Sequence, residues 1–245
     1  MDLESYQPVT IAENLRQEQA ITATLLSSRV PAVRLDVDVL RQYPIDGARS
    51  LSHVLGYLGK IGPQETAVAR ERGYERSDSL GRAGLEQALE EVLRGQKGRE
   101  QIEVDATGRR KEVIAKVSPV AGADVVLTID FEAQRALEAA LQRALTAHRP
   151  GNGVAIALDP RQGEILALVS LPSYDSNWFA RGITPEELAG LKQNPQQPLF
   201  NRAVQGTYPP GSTVKPLVAA AGLAEGVVTE RTTVPSTCGV REGET

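Results

Sequence analysis

Tyr208-Pro209-Pro210-Gly211-Ser212-Thr213-Val214-Lys215-Pro216 opens an apolar helical run that ends at Gly226. Ser212 and Lys215 stand three residues apart. On a helix that spacing puts both on one face, so the lysine amine can reach the serine hydroxyl and act as, or help position, its general base. The positive end of the helix dipole favours the negative charge that develops at an attacking serine. Pro209 and Pro210 stiffen the approach, Gly211 lets the backbone pass closely, and Pro216 sits near the first turn, where a missing N–H costs little. Taken alone, Ser-x-x-Lys recurs by chance in many helices as a solvated polar pair. Its weight comes from the surrounding chain.

Upstream, Thr184-Pro185-Glu186-Glu187 reads as a helix start with acids at its positive end, a structural device, and Trp178-Phe179 as core or groove packing. Residues 154–158 and 165–169 are two short apolar strands joined by Asp159-Pro160-Arg161-Gln162-Gly163, which has the turn chemistry of a hairpin. Before them, Asp130 is placed to cap a helix closed by Pro150-Gly151, with Leu137, Ala140, Leu141, Ala144 and Leu145 as its apolar stripe against polar Glu138, Gln142 and Arg143. Residues 125–129 read as an apolar strand. Pro119 and Gly122 break the pattern before it, which places a domain border between 122 and 123.

The first domain, residues 1–122, mixes helix and strand. Residues 9–29 carry Ile11, Leu15, Ile21, Leu25 and Leu26 at helical positions. Val33, Leu35, Val37 and Val39 alternate with Arg34, Asp36 and Asp38, the pattern of a half-buried strand whose aspartates lie on a solvated face. Residues 48–57 have mixed helical character, and Gly56, Gly59, Gly62 and Pro63 mark a loop. Leu85, Ala88, Leu89, Val92 and Leu93 predict one helix ended by Gly95 and Gly98. Residues 101–105 and 112–117 predict strands around a Thr107-Gly108 turn.

Composition narrows the function classes. The 31 acids and 27 bases are mixed along 245 residues for a net charge of −4, so there is no basic stripe for phosphates, and nucleic acid is excluded as a partner. His53 and His148 lie far apart without ligand-spaced neighbours, so no metal is assigned, and no cofactor is expected. The lone Cys238 reads as a buried small hydrophobe. The longest apolar stretch, 217–224, is far below the roughly 20 residues of a spanning helix, and no export or anchoring segment is visible.

Asn201-Arg202-Ala203-Val204-Gln205-Gly206 through Gly211-Ser212-Thr213-Val214-Lys215-Pro216 resembles the nucleophile segment of class B penicillin-binding proteins, in which Ser-x-x-Lys is a recognised catalytic motif. Asp159-Pro160 with Gly163-Glu164-Ile165-Leu166-Ala167, and Ser170-Leu171-Pro172-Ser173-Tyr174-Asp175-Ser176-Asn177, resemble that family's first two transpeptidase strands and the loop after them. Ser52-His53-Val54-Leu55-Gly56-Tyr57-Leu58-Gly59, Gly84-Leu85-Glu86 with Leu93-Arg94-Gly95, and Leu127-Thr128-Ile129-Asp130 resemble its pedestal and junction. Tyr43-Pro44 and Gly56-Tyr57 look most like the elongation-type members, although Leu89 and Val92 stand where many of these carry aromatics.

The resemblance implies an α+β pedestal (dimerisation) domain over 1–122 and, over 123–245, the first part of an α/β serine-transpeptidase domain. It implies Ser212 as nucleophile, Lys215 as its base and the Ser212 backbone N–H as one oxyanion donor. The reaction would be D,D-transpeptidation of peptidoglycan stem peptides on the outer face of the cytoplasmic membrane, beside a membrane glycosyltransferase, with β-lactams acylating the same serine. The family also uses Ser-x-Asn and Lys-Thr-Gly motifs, and neither lies between Lys215 and Thr245. The chain is therefore expected to be a truncated member that is itself inactive, while the pedestal, encoded before residue 122, folds without the rest. In similar proteins a second cysteine beyond this point would give Cys238 a disulfide partner. Two rivals stay open: a β-lactamase or β-lactam sensor, which shares Ser-x-x-Lys, and a non-catalytic interaction protein that docks partners through the pedestal.

Overall fold

The computed structural model describes residues 10–27, 29–30, 33, 35, 40–75, 78–104, 110–148 and 151–233. The chain divides into two units, Met1–Gln205 and Gly206–Thr245. In the first, α1 (Gln17–Ser27), α2 (Leu51–Leu55), β1 (Tyr57–Lys60), α3 (Thr66–Glu71), β2 (Ser79–Ala83), α4 (Gly84–Ala88), α5 (Glu90–Leu93), β3 (Arg99–Val104) and β4 (Arg110–Val117) are followed by α6 (Phe131–His148), β5 (Gly153–Asp159), β6 (Glu164–Leu171), α7 (Ser176–Ala180), α8 (Pro185–Gln193) and α9 (Arg202–Gln205). Among the described residues the strands form three antiparallel pairs, β1 with β2, β3 with β4 and β5 with β6. This is the expected mixture of helix and strand.

Several local expectations meet corrections. The N-terminal helix begins at Gln17, not near residue 9, because the Gln19 side chain accepts the Arg16 N–H (3.0 Å) and Asn14 holds a left-handed φ of 54°. The expected glycine loop after residue 56 contains β1, in which Gly59 pairs with Leu80. The single helix expected over 85–93 breaks at Leu89, where the following Glu90 turns its carboxylate to Tyr74 Oη (2.8 Å) and Gly81 N (2.7 Å). The β3–β4 pairing matches the two strands expected around residue 107, while the Thr107-Gly108 turn itself lies outside the described residues. So do Arg34, Asp36, Val37, Asp38 and Val39 of the expected early strand.

The β5–β6 hairpin forms as its turn sequence predicts, with Ile156 opposite Leu168. Helix α6 begins where Asp130 Oδ1 accepts the Ala133 N–H (2.8 Å), the expected cap. Its inward face differs: Gln134 is fully buried and Leu137, Glu138, Leu141 and Leu145 are half-buried, whereas Ala140 and Ala144 are exposed. The polar pair turns inward because it has work to do there. Gln134 donates to Leu168 O (2.8 Å) and accepts from Leu168 N (2.8 Å), and also donates to Ser50 Oγ (2.8 Å); Glu138 Oε2 accepts from Ser50 N (2.9 Å) and Oγ (2.5 Å). Residues 125–129 join no sheet. They run alongside β6 instead, Thr128 Oγ1 donating to Ile165 O (2.8 Å) and Asp130 N to Leu166 O (2.9 Å).

Among the described residues, two apolar clusters hold this unit. Tyr43, Ile45, Ala48 and Leu51 pack with Leu55, Tyr57, Ile129 and Ala180, and Ile61, Ala69 and Tyr74 pack with Leu80. The first cluster thus draws on both sides of residue 122. Around it Asn177 repeats the device of Gln134, accepting from Tyr43 N (2.8 Å) and donating to Tyr43 O (2.9 Å). Tyr57 stacks on Phe179 at 3.7 Å, and Tyr174 meets both rings edge-on. Gly56 makes the turn from α2 into β1 possible: at φ +80° a Cβ there would lie 1.7 Å from Ala83 O. The second unit contains a 3-10 turn (Gly211–Val214) leading into α10 (Lys215–Ala224).

Candidate active site

The segment carrying Ser212 is shaped by its small and cyclic residues. Gly211 takes φ +55° in open space, so a side chain there would meet no clash but would pay the left-handed backbone cost. Pro210 O accepts from Thr213 N (3.3 Å) and from Thr213 Oγ1, which closes the first turn. The Lys215 N–H then bonds to Ser212 O, and Pro216 occupies the second helical position, where no intrahelical donor is required.

Sequence placed Ser212 and Lys215 at the start of one helix. The structure puts Ser212 in the 3-10 turn and Lys215 at the first position of α10, joined by that i to i+3 backbone bond. Three residues per turn eclipses positions three apart, so the two side chains emerge on one side of the segment. Both residues are exposed, and among the described residues no hydrogen bond joins Ser212 Oγ to Lys215 Nζ. The arrangement offers an unhindered hydroxyl and a primary amine on adjacent turns, next to the N–H groups of a helix start. That is the inventory for a serine nucleophile with a lysine base.

The other polar residues singled out in the sequence fall into structural roles. Thr184 and Glu187 form a complete capping box on α8, and the Thr184 N–H together with Arg181 holds the Glu187 carboxyl below its ordinary pKa. His148 ends α6 exposed. His53 is buried on α2 with its ring edge-on to Tyr174 at 5.2 Å; burial, with the Arg202 charge adding to it and a bond to the Pro172 carbonyl opposing it, pulls its pKa down to about 4. Among the described residues no group of three or more His, Cys, Asp or Glu could hold a metal ion. Asp36, Asp38 and Cys238 lie outside the described residues.

Sequence reasoning passed over Arg202. It is buried, donates to the carbonyls of Gln196, Gln197 and Phe200, and takes Ser170 Oγ as the acceptor for its backbone N–H (3.0 Å). The only local signal was a charge placed before an uncharged stretch, which surface arginines share.

The comparisons with known proteins bear on both halves of the chain. The Penicillin-binding Protein dimerisation domain matches residues 2–127, and the Penicillin binding protein transpeptidase domain matches residues 153–245. Peptidoglycan D,D-transpeptidase MrdA of Escherichia coli K12 is 37% identical over 233 residues, covering 94% of this chain and 35% of that protein. Penicillin-binding protein 3 of Bacillus subtilis is 37% identical over 210 residues, covering 86% of this chain and 28% of that protein. The chain thus spans about a third of the length of the curated relatives it matches. Among solved structures, a complex between PBP2 and MreC from Helicobacter pylori superposes with a TM-score of 0.76 at 26% identity, covering 98% of this chain and 43% of that one. A peptidoglycan synthase complex, described as coordinating polymerization and crosslinking, gives 0.67 at 36% identity over 89% of this chain and 39% of that one.

Proposed function

The chain belongs to the penicillin-binding proteins, with a dimerisation region followed by a transpeptidase region, and from that premise we propose that its protein is an elongation-type peptidoglycan D,D-transpeptidase acting through an acyl-enzyme on Ser212. The observation that carries the reading is the turn in which the Lys215 N–H closes on Ser212 O, so that hydroxyl and amine leave one side of a helix start. Ser212 Oγ attacks the carbonyl of the penultimate D-alanine of a stem peptide as its proton passes to Lys215 Nζ. The Ser212 backbone N–H is one donor to the oxyanion. Collapse of the tetrahedral adduct breaks the peptide bond, and the terminal D-alanine leaves with the proton returned by the lysine. The amine of a neighbouring stem peptide then attacks the ester, forming the cross-link and restoring the serine hydroxyl. A β-lactam enters the same path through its ring amide, and opening the ring leaves an ester on Ser212.

In this reading residues 1–122 are the pedestal and 123–245 belong to the transpeptidase domain. The protein works at the outer face of the cytoplasmic membrane beside a membrane glycosyltransferase, and the pairing is supported by the solved relative described as a synthase complex that coordinates polymerization and crosslinking. Among the described residues no helix is long and apolar enough to cross a membrane.

The test is covalent labelling of the full-length gene product with a fluorescent penicillin. A stable adduct that disappears in Ser212→Ala and forms on the order of 100-fold or more slowly in Lys215→Ala is expected. Rapid turnover of the drug in place of a lasting adduct would identify a β-lactamase, and labelling that survives Ser212→Ala would overturn the assignment.

A further inference from the structure

Thr213 gives both of its donors to one oxygen. Its backbone N–H (3.3 Å) and its Oγ1 both reach Pro210 O, three residues back. Threonines within the regular helices bond otherwise. In α1 Thr22 Oγ1 donates to Glu18 O (2.8 Å) and Thr24 Oγ1 to Ala20 O (2.8 Å), and in α6 Thr146 Oγ1 donates to Gln142 O (2.8 Å), each four residues back as an α-helix directs. The three-residue step of Thr213 belongs to the tighter 3-10 geometry, which the Lys215 N–H continues by bonding to Ser212 O. Among the described residues little else holds this turn. Gly211, at φ +55°, has no atom beyond its chain neighbours within 4 Å of the place a Cβ would take, and Ser212, Thr213 and Lys215 are all exposed. The backbone bond from Thr213 is longer than is usual for N–H···O, so the hydroxyl is the stronger of the two closures.

We infer that Thr213 is a positioning residue for Ser212: its hydroxyl holds the nucleophile in a 3-10 turn, which keeps Ser212 and Lys215 eclipsed and leaves the Ser212 N–H free. At three residues per turn, positions three apart align. At 3.6 residues per turn the same step falls short by about 60° around the axis, which would swing the lysine amine away from the hydroxyl it must deprotonate. Because Thr213 supplies both donors to Pro210 O, the N–H of the intervening Ser212 has no acceptor among the described residues and is available to an oxyanion. The inference rests on Ser212 being the acylated serine. It invokes no contact between Thr213 and the substrate, and every residue of the turn lies within the second unit, Gly206–Thr245.

The experiment follows acylation of the full-length gene product by a fluorescent penicillin over a range of drug concentrations, separating the first-order rate at saturation from the concentration that gives half of it. Thr213→Val keeps the branched shape and loses the hydroxyl. It is expected to lower the saturating rate on the order of 10-fold, as misplacement of a nucleophile would give, and to leave the half-saturating concentration unchanged. Thr213→Ser, which keeps the donor, should recover most of the rate. Thr146→Val in α6 deletes the same kind of hydroxyl-to-carbonyl bond in the other unit and should leave the rate intact. An unchanged saturating rate in Thr213→Val overturns the inference, as does a loss confined to the half-saturating concentration, an equal slowing in Thr146→Val, or a Thr213→Ser variant as slow as the valine. If Thr213→Val does not accumulate as folded protein, Thr213→Ala also lacks the hydroxyl, and an unchanged rate there overturns the inference instead. A wild-type protein that takes no label overturns the reading of Ser212 itself, and this inference with it, whereas a labelled wild type with an equally fast Thr213→Val strikes the inference alone.

Discussion

His53 and Gln134 show how single buried polar side chains set the stability of the first unit. His53 titrates near 4 in the folded chain against about 6.5 unfolded, chiefly because burial disfavours the imidazolium. Above pH 6.5 both states are neutral and the residue contributes nothing to the pH dependence. As pH falls from about 6.5 to about 4 the unfolded chain takes up a proton that the folded one refuses, so stability is lost, by about 3 kcal/mol at the lower end. We therefore predict that His53→Phe, compared with wild type by denaturant melts from pH 7.5 to pH 4, removes about that much of the acid sensitivity. Parallel curves for the two proteins would contradict it. Gln134 makes a different prediction. Gln134→Leu fills similar volume but leaves Leu168 N and O without their partner, at a cost of about 2–4 kcal/mol at neutral pH. The same variant should lose the slow hydrogen exchange of the Leu168 amide.

Elements differ in how visible they were before folding, and the differences have physical causes. The β5–β6 hairpin, the Asp130 cap of α6 and the capping box of α8 were legible because each is decided within a few residues by turn or cap chemistry. The break at Leu89 was not, since its cause is the reach of Glu90 to Tyr74 and Gly81 across the fold. Nor was the inward turn of Gln134 and Glu138, whose partners lie 34 and 88 residues away. Strand β1 was hidden by Gly59, which reads locally as a loop residue. At the candidate site the serine and lysine were singled out by their spacing together with the resemblance of the surrounding chain, whereas Arg202 acquires its meaning only from the carbonyls that surround it. Gly56 offers a test at this scale. Gly56→Ala drives a Cβ into Ala83 O at a positive φ, and strain and overpacking together should cost about 2–5 kcal/mol. A melting temperature within two degrees of wild type would show that α2 and β1 can rearrange around it.

At the scale of the molecule, the first apolar cluster bears on the expectation that residues before 122 fold without the rest. Tyr43, Ile45 and Leu51 share their core with Ile129 and Ala180, and both backbone groups of Tyr43 are paired by Asn177. A polypeptide of residues 1–122 should therefore expose this cluster, bind a hydrophobic dye and unfold with a shallow denaturant slope, while residues 1–205 should unfold cooperatively. A steep, dye-free transition for 1–122 would refute the prediction. The hairpin β5–β6 carries a further consequence. Because Leu168 N and O point away from β5 to Gln134, the pair Ile156–Leu168 is a non-hydrogen-bonded one, and Ile156 must aim its own N–H and C=O at the opposite margin. The β6 margin is already occupied by Thr128, Asp130 and Gln134, whereas no described strand lies along β5. The hairpin is thus a one-sided template: any further strand, native or aggregating, can be recruited only along β5, with Ile156 setting its register.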